Sequence, residues 1–239
     1  MEAYGMTDVG IERDVNQDAL FYSTVSVGPL QNLFMVCDGM GGHAAGDFAS
    51  RFTIENLVGL IRGAKGGQLI TTIDTAIKNV NDRLVRHADE NLDMYGMGTT
   101  LVLATIEDGI LYVANVGDSR LYLIDDDIRQ ITRDHSYVEE MVKAGKMKRG
   151  SIEYNTRRNM ITRAIGSPTG VVADYFEIEL SKGAKLLLCS DGLTNMLSND
   201  EIFSIVKSQT ALENRVRTLI GAANINGGTD NISALIVEL

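Results

Sequence analysis

Apolar residues follow two different periods along this chain of 239 residues. Short apolar runs rich in β-branched and aromatic residues predict strands, and apolar residues that recur every three or four positions predict helices. Strands are predicted near residues 2–7, 18–25, 31–37, 98–105, 109–116, 120–124, 172–180, 184–189 and 232–238. The clearest helix has one apolar stripe, formed by Ile70, Ile73, Ile77, Val80 and Leu84.

Capping signals indicate where further helices begin. The stretch SYVE at 136–139 is typical of a capping box and predicts a short helix that ends at Gly145. SNDE at 198–201 predicts another. A last helix is predicted through Leu212, Val216, Leu219 and Ala223.

The order of these elements predicts the α+β class, because strands come in runs and helices in pairs instead of alternating. The runs at 98–105, 109–116 and 120–124 are separated by short turns, which favours antiparallel hairpins. Gly117 and Asp118 would form the second of these turns. Only two prolines occur and no linker-like tract interrupts the pattern, so residues 1–239 are predicted to form one domain.

The composition of the chain limits which kinds of partner and which cellular compartment are expected. The formal net charge is −10, which argues against nucleic acid or an anionic membrane as the main partner. The N-terminus resembles no signal peptide, and no apolar run approaches the length of a membrane span. Cys37 and Cys189 each lie in an apolar run. We therefore expect buried, reduced thiols in a cytoplasmic protein.

In the stretch NLFMVCDGMGGHAAGDFAS, residues 32–50, an apolar run is followed directly by Asp38 and then by glycines. A carboxylate at the end of a buried strand needs compensation, which a phosphate, a nucleotide or a metal could supply. The stretch formally matches a dinucleotide fingerprint, but Asp38 would repel a pyrophosphate and the βαβ context is missing. No lysine follows that could serve a P-loop.

Other aspartates repeat this arrangement, and together they favour a metal. Asp191 follows the apolar run KLLLC, Asp118 lies between two strands, Asp230 precedes the last strand, and Asp18 begins one. A single such residue could simply form a turn, but clustered carboxylates would repel each other without a cation. Oxygen ligands select hard cations such as Mg²⁺ or Mn²⁺. The three histidines are scattered, which argues against zinc.

Eight motifs, in order along the chain, resemble the metal-dependent protein phosphatases of the PP2C (PPM) type, in particular the compact bacterial single-domain members. They are TDVGIERDVNQD, VCDGMGGHAAG, GMGTTLVLATI, LYVANVGDSRLYLI, ITRDHS, MITRAIG, LLLCSDGLTNML and GGTDNISALIVEL. The resemblance implies a central antiparallel β-sandwich flanked by pairs of helices (α-β-β-α). It also implies a dinuclear metal site at one end of the sandwich.

The resemblance further implies a set of metal ligands. Asp38 would bridge both ions, and the Gly39 carbonyl would bind the second. Asp191 and Asp230 would hold the first ion. Asp118, together with Asp191, would offer a third and weaker site typical of bacterial members.

Other residues of these motifs would act around the ions. By resemblance, Asp18 acts in the outer shell through water, and Arg13 grips the substrate phosphate, a role that suits a bidentate guanidinium. Gln17 stands where some members carry an acid, so one water-mediated carboxylate is absent. Met40 stands where eukaryotic members carry the histidine assigned as general acid. His43 is either its substitute or a capping or packing residue, so the general acid stays open.

Basic residues cluster in one segment of this otherwise acidic chain. Only one acid, Glu153, lies among seven cations, which are Lys143, Lys146, Lys148, Arg149, Arg157, Arg158 and Arg163. The segment is either a solvated loop or the flap that borders the active site in this family, suited here to phosphopeptides. We call residues 143–163 the flap and assign Arg163, with Arg13, to substrate binding.

The implied activity is that of a Mn²⁺- or Mg²⁺-dependent serine/threonine phosphoprotein phosphatase with Arg13 and Asp38 as catalytic residues. A water activated by two ions would attack phosphorus without a phosphoenzyme. A cysteine nucleophile is excluded because no arginine stands six positions after Cys37 or Cys189. We expect a monomer that acts on the substrates of a Ser/Thr kinase. The alternatives are a PP2C-like pseudophosphatase scaffold, disfavoured by the intact aspartates, and a phosphatase of non-protein phosphoesters.

Overall fold

The computed structural model describes residues 1–42 and 45–239. The strands are β1 (Glu2–Asp8), β2 (Asp18–Ser23), β3 (Leu33–Met40), β4 (Gly98–Thr99), β5 (Leu101–Glu107), β6 (Ile110–Val116), β7 (Arg120–Ile124), β8 (Ile128–Gln130), β9 (Asp174–Glu179), β10 (Lys185–Cys189) and β11 (Ile232–Glu238). The helices are α1 (Ala45–Gly63), α2 (Leu69–Glu90), α3 (Tyr137–Lys143), α4 (Ile152–Arg157), α5 (Asp191–Thr194), α6 (Asn199–Val206) and α7 (Leu212–Ile225).

The strands form two antiparallel sheets. The first sheet has the order β1-β11-β10-β7-β8, and the second has the order β2-β3-β5-β6-β9, with β4 paired to β3. Every strand pair in the described residues is antiparallel.

Three apolar layers hold the sheets and helices together. Between the sheets lies a core that includes Phe34 and Val36 of β3 and Leu235 of β11. The alternate residues of β3, such as Met35, turn to the other face and pack under α1 and α2. Helices α6 and α7 cover the outer face of the first sheet. The predicted α-β-β-α sandwich is confirmed, and because β3 is buried on both faces its sequence is a continuous apolar run.

The predicted hairpin at Gly117–Asp118 is wrong. Strand β6 pairs with β5 and β9 in the second sheet, whereas β7 pairs with β10 and β8 in the first. The turn therefore crosses from one sheet to the other. Gly117 has φ +101°, and a Cβ there would lie 2.6 Å from Cγ2 of Thr100, so the crossing requires glycine. The hairpin predicted between β5 and β6 is confirmed.

The two predicted capping boxes differ in outcome. At 198–201 both reciprocal bonds form. At α3, Ser136 accepts a hydrogen bond from the N–H of Glu139 as predicted. The Glu139 carboxylate, however, accepts bonds from Arg149 and Tyr154 in the flap. Tertiary hydrogen bonds to the flap thus replace the second, side-chain-to-backbone bond of the capping box.

The sequence pattern missed the short elements β8, α4 and α5, which are too brief to show a period. No helix in the described part of the chain combines the length and apolar character that crossing a membrane requires.

Candidate active site

The predicted metal-binding aspartates lie where strands of both sheets end. Asp18 and Asp38 face each other directly across β2 and β3 of the second sheet. Asp191 follows β10 and Asp230 precedes β11, which are neighbours in the first sheet. Asp118 lies in the crossing between the sheets. Because β10 and β11 run antiparallel, the end of one and the beginning of the other meet at the same edge.

Asp18 belongs to the second sheet, but its side chain is held by the first. Its Oδ2 accepts hydrogen bonds from the hydroxyls of Ser190 and Ser233, each at 2.7 Å. Its Oδ1 is buried and has no hydrogen-bond partner among the residues that the structure describes. Burial raises the pKa of Asp18 to about 7; the two serines oppose the shift, and repulsion from Asp191 and Asp230 adds to it.

Asp38 is fixed through its backbone. Its N–H donates to the Thr100 hydroxyl, and its carbonyl accepts from the Thr100 N–H and the Thr99 hydroxyl, all at 2.9 Å. Burial raises the pKa of its carboxyl well above the ordinary value, and repulsion from Asp18 and then Asp191 raises it further. The threonines thus hold in place a carboxylate whose charge the protein itself disfavours.

Asp118 and Asp191 are two further carboxylates whose pKa values are raised by burial and by repulsion from neighbouring aspartates. Burial, followed by repulsion from Asp191, raises the pKa of Asp118 to about 8. Burial, followed by repulsion from Asp230, raises the pKa of Asp191 to about 6. The amide of Asn195 donates to Asp191 Oδ2 at 3.0 Å, whereas Asp191 Oδ1 is buried and meets no partner in residues 1–42 and 45–239.

These features fit hard divalent cations. Buried carboxylates that repel one another and leave oxygens unpartnered are the donor set that Mg²⁺ and Mn²⁺ prefer. Across residues 1–42 and 45–239 no three histidine, cysteine or acidic side chains converge as a ready-made metal cluster. The fit therefore rests on the burial, repulsion and chemistry of the donors.

Gly39 lies where two backbone segments touch. A Cβ at this position would be 2.0 Å from the Gly46 carbonyl oxygen in α1. The Gly39 N–H donates to the carbonyl of Gln17 at 3.1 Å. Glycine follows Asp38 because the start of α1 approaches the strand end too closely for any side chain.

The structure brings Arg13 to the carboxylates. Its Nη2 donates to Asp230 Oδ2 at 2.9 Å, and half of its side chain stays exposed to solvent. The arginine predicted to bind the substrate phosphate therefore stands beside Asp230, with the exposed part of its guanidinium available as a donor.

Arg163 lies elsewhere. It donates to Asp174 Oδ1 at 2.9 Å and contacts Nε2 of His135 at 3.3 Å. With these two residues it lines a polar cavity of about 740 Å³. The aspartates Asp118 and Asp191 line a different cavity, of about 190 Å³. Of the two predicted substrate-binding arginines, only Arg13 is placed beside the carboxylates.

The chain is similar to known protein phosphatases in both sequence and structure. Residues 11–225 match the family Protein phosphatase 2C. The serine/threonine phosphatase stp of Listeria innocua is 39% identical over 213 residues, covering 87% of this chain and 84% of that protein. The protein phosphatase PhpP of Streptococcus pneumoniae is 36% identical over 254 aligned positions, covering 100% and 98%. The structure of serine/threonine phosphatase Stp1 from Staphylococcus aureus superimposes with a TM-score of 0.92 at 34% identity, covering 100% and 94%.

The chain belongs to the protein phosphatase 2C family. It is a serine/threonine protein phosphatase, as the motifs predicted. The family is metal-dependent, which agrees with the donor set described above.

Sequence reasoning on this phosphatase grouped Arg158 with Arg157 and the other flap cations and did not separate them. Arg158 lines the 190 Å³ cavity with Asp118 and Asp191, and its charge helps to lower the pKa of Asp191 against the larger effects that raise it. No signal in the sequence distinguishes Arg158 from the other flap cations, since the distinction comes from which side chains turn toward the cavity.

Three polar residues beside the motif aspartates were also missed. Ser190 precedes Asp191, and Asn231 and Ser233 follow Asp230 closely. Their positions inside the motifs were a usable signal, because residues next to a ligand can orient it.

The general acid of the phosphatase stays open. Met40 pairs with Gly98 between β3 and β4, and His43 lies outside the described residues. His135 is buried, and its Nδ1 accepts from the Gly117 N–H at 3.1 Å. His87 stacks on Phe48. Both described histidines thus have structural contacts.

Proposed function

We propose that this phosphatase hydrolyses serine/threonine phosphoprotein monoesters with two Mn²⁺ or Mg²⁺ ions. Asp38, Asp191, Asp230 and the Gly39 carbonyl would hold them, with a third, weaker site at Asp118 and Asp191. The supporting observation is the set of buried or half-buried, mutually repelling carboxylates, in which Oδ1 of Asp18 and Oδ1 of Asp191 find no hydrogen-bond partner among the described residues. Only cations relieve that repulsion without protonation.

When bound, the ions supply an activated water as nucleophile and stabilise charge on the phosphoryl oxygens, so that no phosphoenzyme is required. The chain's own residues prepare the site. Ser190 and Ser233 hold one oxygen of Asp18 and leave the other without a hydrogen bond from the described residues. Arg13, at the rim, would bind the substrate phosphate through paired donors.

The flap supports a protein substrate. Arg158 adds a cation to the lining of the cavity that Asp118 and Asp191 also line, where it would meet a phosphorylated segment. Arg163, held by Asp174, would act at the edge of the flap and not at the phosphate. Substrates of a Ser/Thr kinase are the proposed targets. The proposed location is the cytoplasm, where the free thiols of Cys37 and Cys189 would stay reduced.

The test is hydrolysis of p-nitrophenyl phosphate against Mn²⁺ concentration after removal of metal with a chelator. Wild-type activity should require the metal, and Asp38→Ala should lose about 10³-fold or more, because several kcal/mol of charge stabilisation depend on the ions. Asp47→Ala is the matched control, since Asp47 is a surface carboxylate paired with Arg51 on α1. Its activity should equal that of wild type.

Two outcomes would contradict the proposal. Traces that are equally weak and independent of metal for wild type and Asp38→Ala would favour the pseudophosphatase scaffold. Faster hydrolysis of free nucleotides than of a phosphopeptide would favour the phosphatase of non-protein phosphoesters.

A further inference from the structure

The loop that carries Arg13 is exposed at its centre, where the N–H groups of Ile11 and Glu12 donate to the Gly228 carbonyl at 2.8 and 3.2 Å. This segment, residues 9–17, joins β1 to β2 and is called the Arg13 loop below. Residues 11–15 are exposed, including the apolar Ile11 and Val15. An exposed irregular loop opens easily unless hydrogen bonds restrain it. The position of the Arg13 guanidinium therefore depends on whatever ties the loop to the sandwich.

The side chain of Asn231 provides three such ties. Its Nδ2 donates to the carbonyls of Val9 at 2.8 Å and Val15 at 3.0 Å. Its Oδ1 accepts from the N–H of Gln17 at 2.8 Å. These bonds reach both ends of the Arg13 loop. Because only 4% of Asn231 is exposed, water competes little for them.

Asn231 is also joined to the neighbouring carboxylate. Its own N–H donates to Asp230 Oδ1 at 2.9 Å, while Arg13 donates to Asp230 Oδ2. The loop passes so close to this backbone that a Cβ on Gly10, which has φ +84°, would lie 2.2 Å from the Asp230 carbonyl oxygen. One residue therefore contacts both the arginine-bearing loop and the carboxylate that the arginine faces.

The pattern of bonds requires a primary amide. Two donors and one acceptor must come from one planar group, which asparagine supplies. Aspartate at this position would keep the acceptor for Gln17 but turn a negative oxygen toward two carbonyls. A hydroxyl is too short and has too few donors to reach three backbone groups.

We propose that Asn231 is a positioning residue whose amide holds the Arg13 loop against Asp230, so that the guanidinium keeps its place beside the carboxylates. This inference rests on the proposed function, because Asn231 acts on the reaction only through Arg13. The carboxamide thus sets the distance between the group that binds the phosphate and the residues that would hold the cations.

The first measurement is hydrogen–deuterium exchange of residues 9–17 in chelator-treated protein, which needs no metal and no turnover. In Asn231→Ala the loop amides should exchange about tenfold faster or more, because three restraining bonds are lost. The matched control is Asn32→Ala. Asn32 is buried, and its amide bonds both the N–H and the carbonyl of Ile106. It precedes β3, at the other end of that strand from Asp38, so exchange in the Arg13 loop should not change.

The second measurement is a double-mutant cycle with a phosphopeptide and Mn²⁺. Asn231→Ala should lower kcat/KM by about 10- to 100-fold, as expected when a binding group is misplaced. In an Arg13→Ala background the same substitution should lower kcat/KM by almost nothing further. Asn32→Ala should show wild-type kcat and KM in both backgrounds. If Asn231→Ala does not fold, Asn231→Asp, which keeps one bond and the side-chain shape, undergoes both measurements.

The outcomes separate two kinds of failure. Wild-type exchange of the Arg13 loop in the Asn231 variants, or a kinetic loss that adds in full to that of Arg13→Ala, would overturn the positioning role. Wild-type kcat and KM in Arg13→Ala alone would instead overturn the proposed function of Arg13.

Discussion

At the scale of single residues, Asp38 and Gly39 have separate roles at the end of β3. Asp38 is locked by Thr99 and Thr100 through its backbone, which leaves its carboxylate toward the site. Gly39 lets the start of α1 approach until the Gly46 carbonyl occupies the space of a Cβ. The carboxylate of Asp38 provides the proposed metal-binding chemistry, and the absence of a side chain at Gly39 lets α1 pack beside it.

Gly39→Ala should therefore damage both fold and activity. The new methyl would overlap a carbonyl oxygen at 2.0 Å, so β3 or α1 must shift, at a cost of about 1–3 kcal/mol. We expect a lower melting temperature and loss of most metal-dependent hydrolysis. Gly42→Ala is the control three residues away, because a Cβ at Gly42 meets no atom of the described residues within 4 Å. If both variants behaved alike, the close approach would not be the reason for glycine at position 39.

At the scale of elements, the flap is anchored by its own charges. Arg149 and Tyr154 both bind the carboxylate of Glu139 on α3. Arg157 lies over the ring of Tyr137, 5.7 Å from its centroid. These cations are occupied by contacts within the flap and with α3. A simple count of flap cations therefore overestimates the charge available to a substrate.

Arg158 and Arg157 should behave differently although they are adjacent. Arg158→Ala should raise KM for a phosphopeptide by about tenfold, as for the loss of one hydrogen bond to a charged group. KM for p-nitrophenyl phosphate should change less, since that substrate has no peptide to contact the flap. Arg157→Ala should leave both KM values close to wild type, because Arg157 packs on Tyr137 and pairs with Glu153. Equal effects of the two substitutions would contradict this division of roles.

At the scale of the whole molecule, the candidate site lies on the seam between the sheets. Asp18 and Asp38 belong to the second sheet, whereas Asp191 and Asp230 flank strands of the first. The carboxylates repel across this seam when they are charged. Bound cations would therefore be expected to join the two halves of the sandwich and stabilise the fold as a unit.

The metal-free protein should lose stability as the pH rises. Asp18 and Asp118 have folded-state pKa values of about 7 and about 8, raised from an ordinary value of 3.8. Above that ordinary value the folded state keeps protons that the unfolded state has released, so stability falls until the pH passes the raised pKa values. In chelator the melting temperature should be lower at a pH of about 8 than at about 7, a window above the ordinary pKa of histidine, which is about 6.5.

Excess Mn²⁺ should reverse this trend, with a larger increase in melting temperature at the higher pH, where the carboxylates are charged. Asp118→Asn should flatten the pH dependence in chelator, because one of the raised pKa values is removed. A melting temperature in chelator that is constant or rises across this window would contradict the repulsion on which the site rests.

The sequence alone determined the layers of this protein and the chemistry of its site. Continuous apolar runs such as β3 predict strands buried on both faces, and the three-four spacing of α2 predicts a helix with one buried stripe. Aspartates at the ends of such runs predict a cation, since a buried strand does not otherwise end in a charge. Local patterns carry this information because strand and helix periods and local charge are properties of neighbouring residues.

Only the tertiary structure decided which strands share a sheet and which polar groups meet. Periodicity does not report strand partners, so the crossing at Gly117 was predicted as a hairpin. The flap cations look alike in sequence, yet Arg163 binds Asp174 while Arg158 lines the carboxylate cavity. Asn231 reaches backbone groups more than 200 positions away. Such contacts depend on how distant segments pack, and no local pattern encodes them.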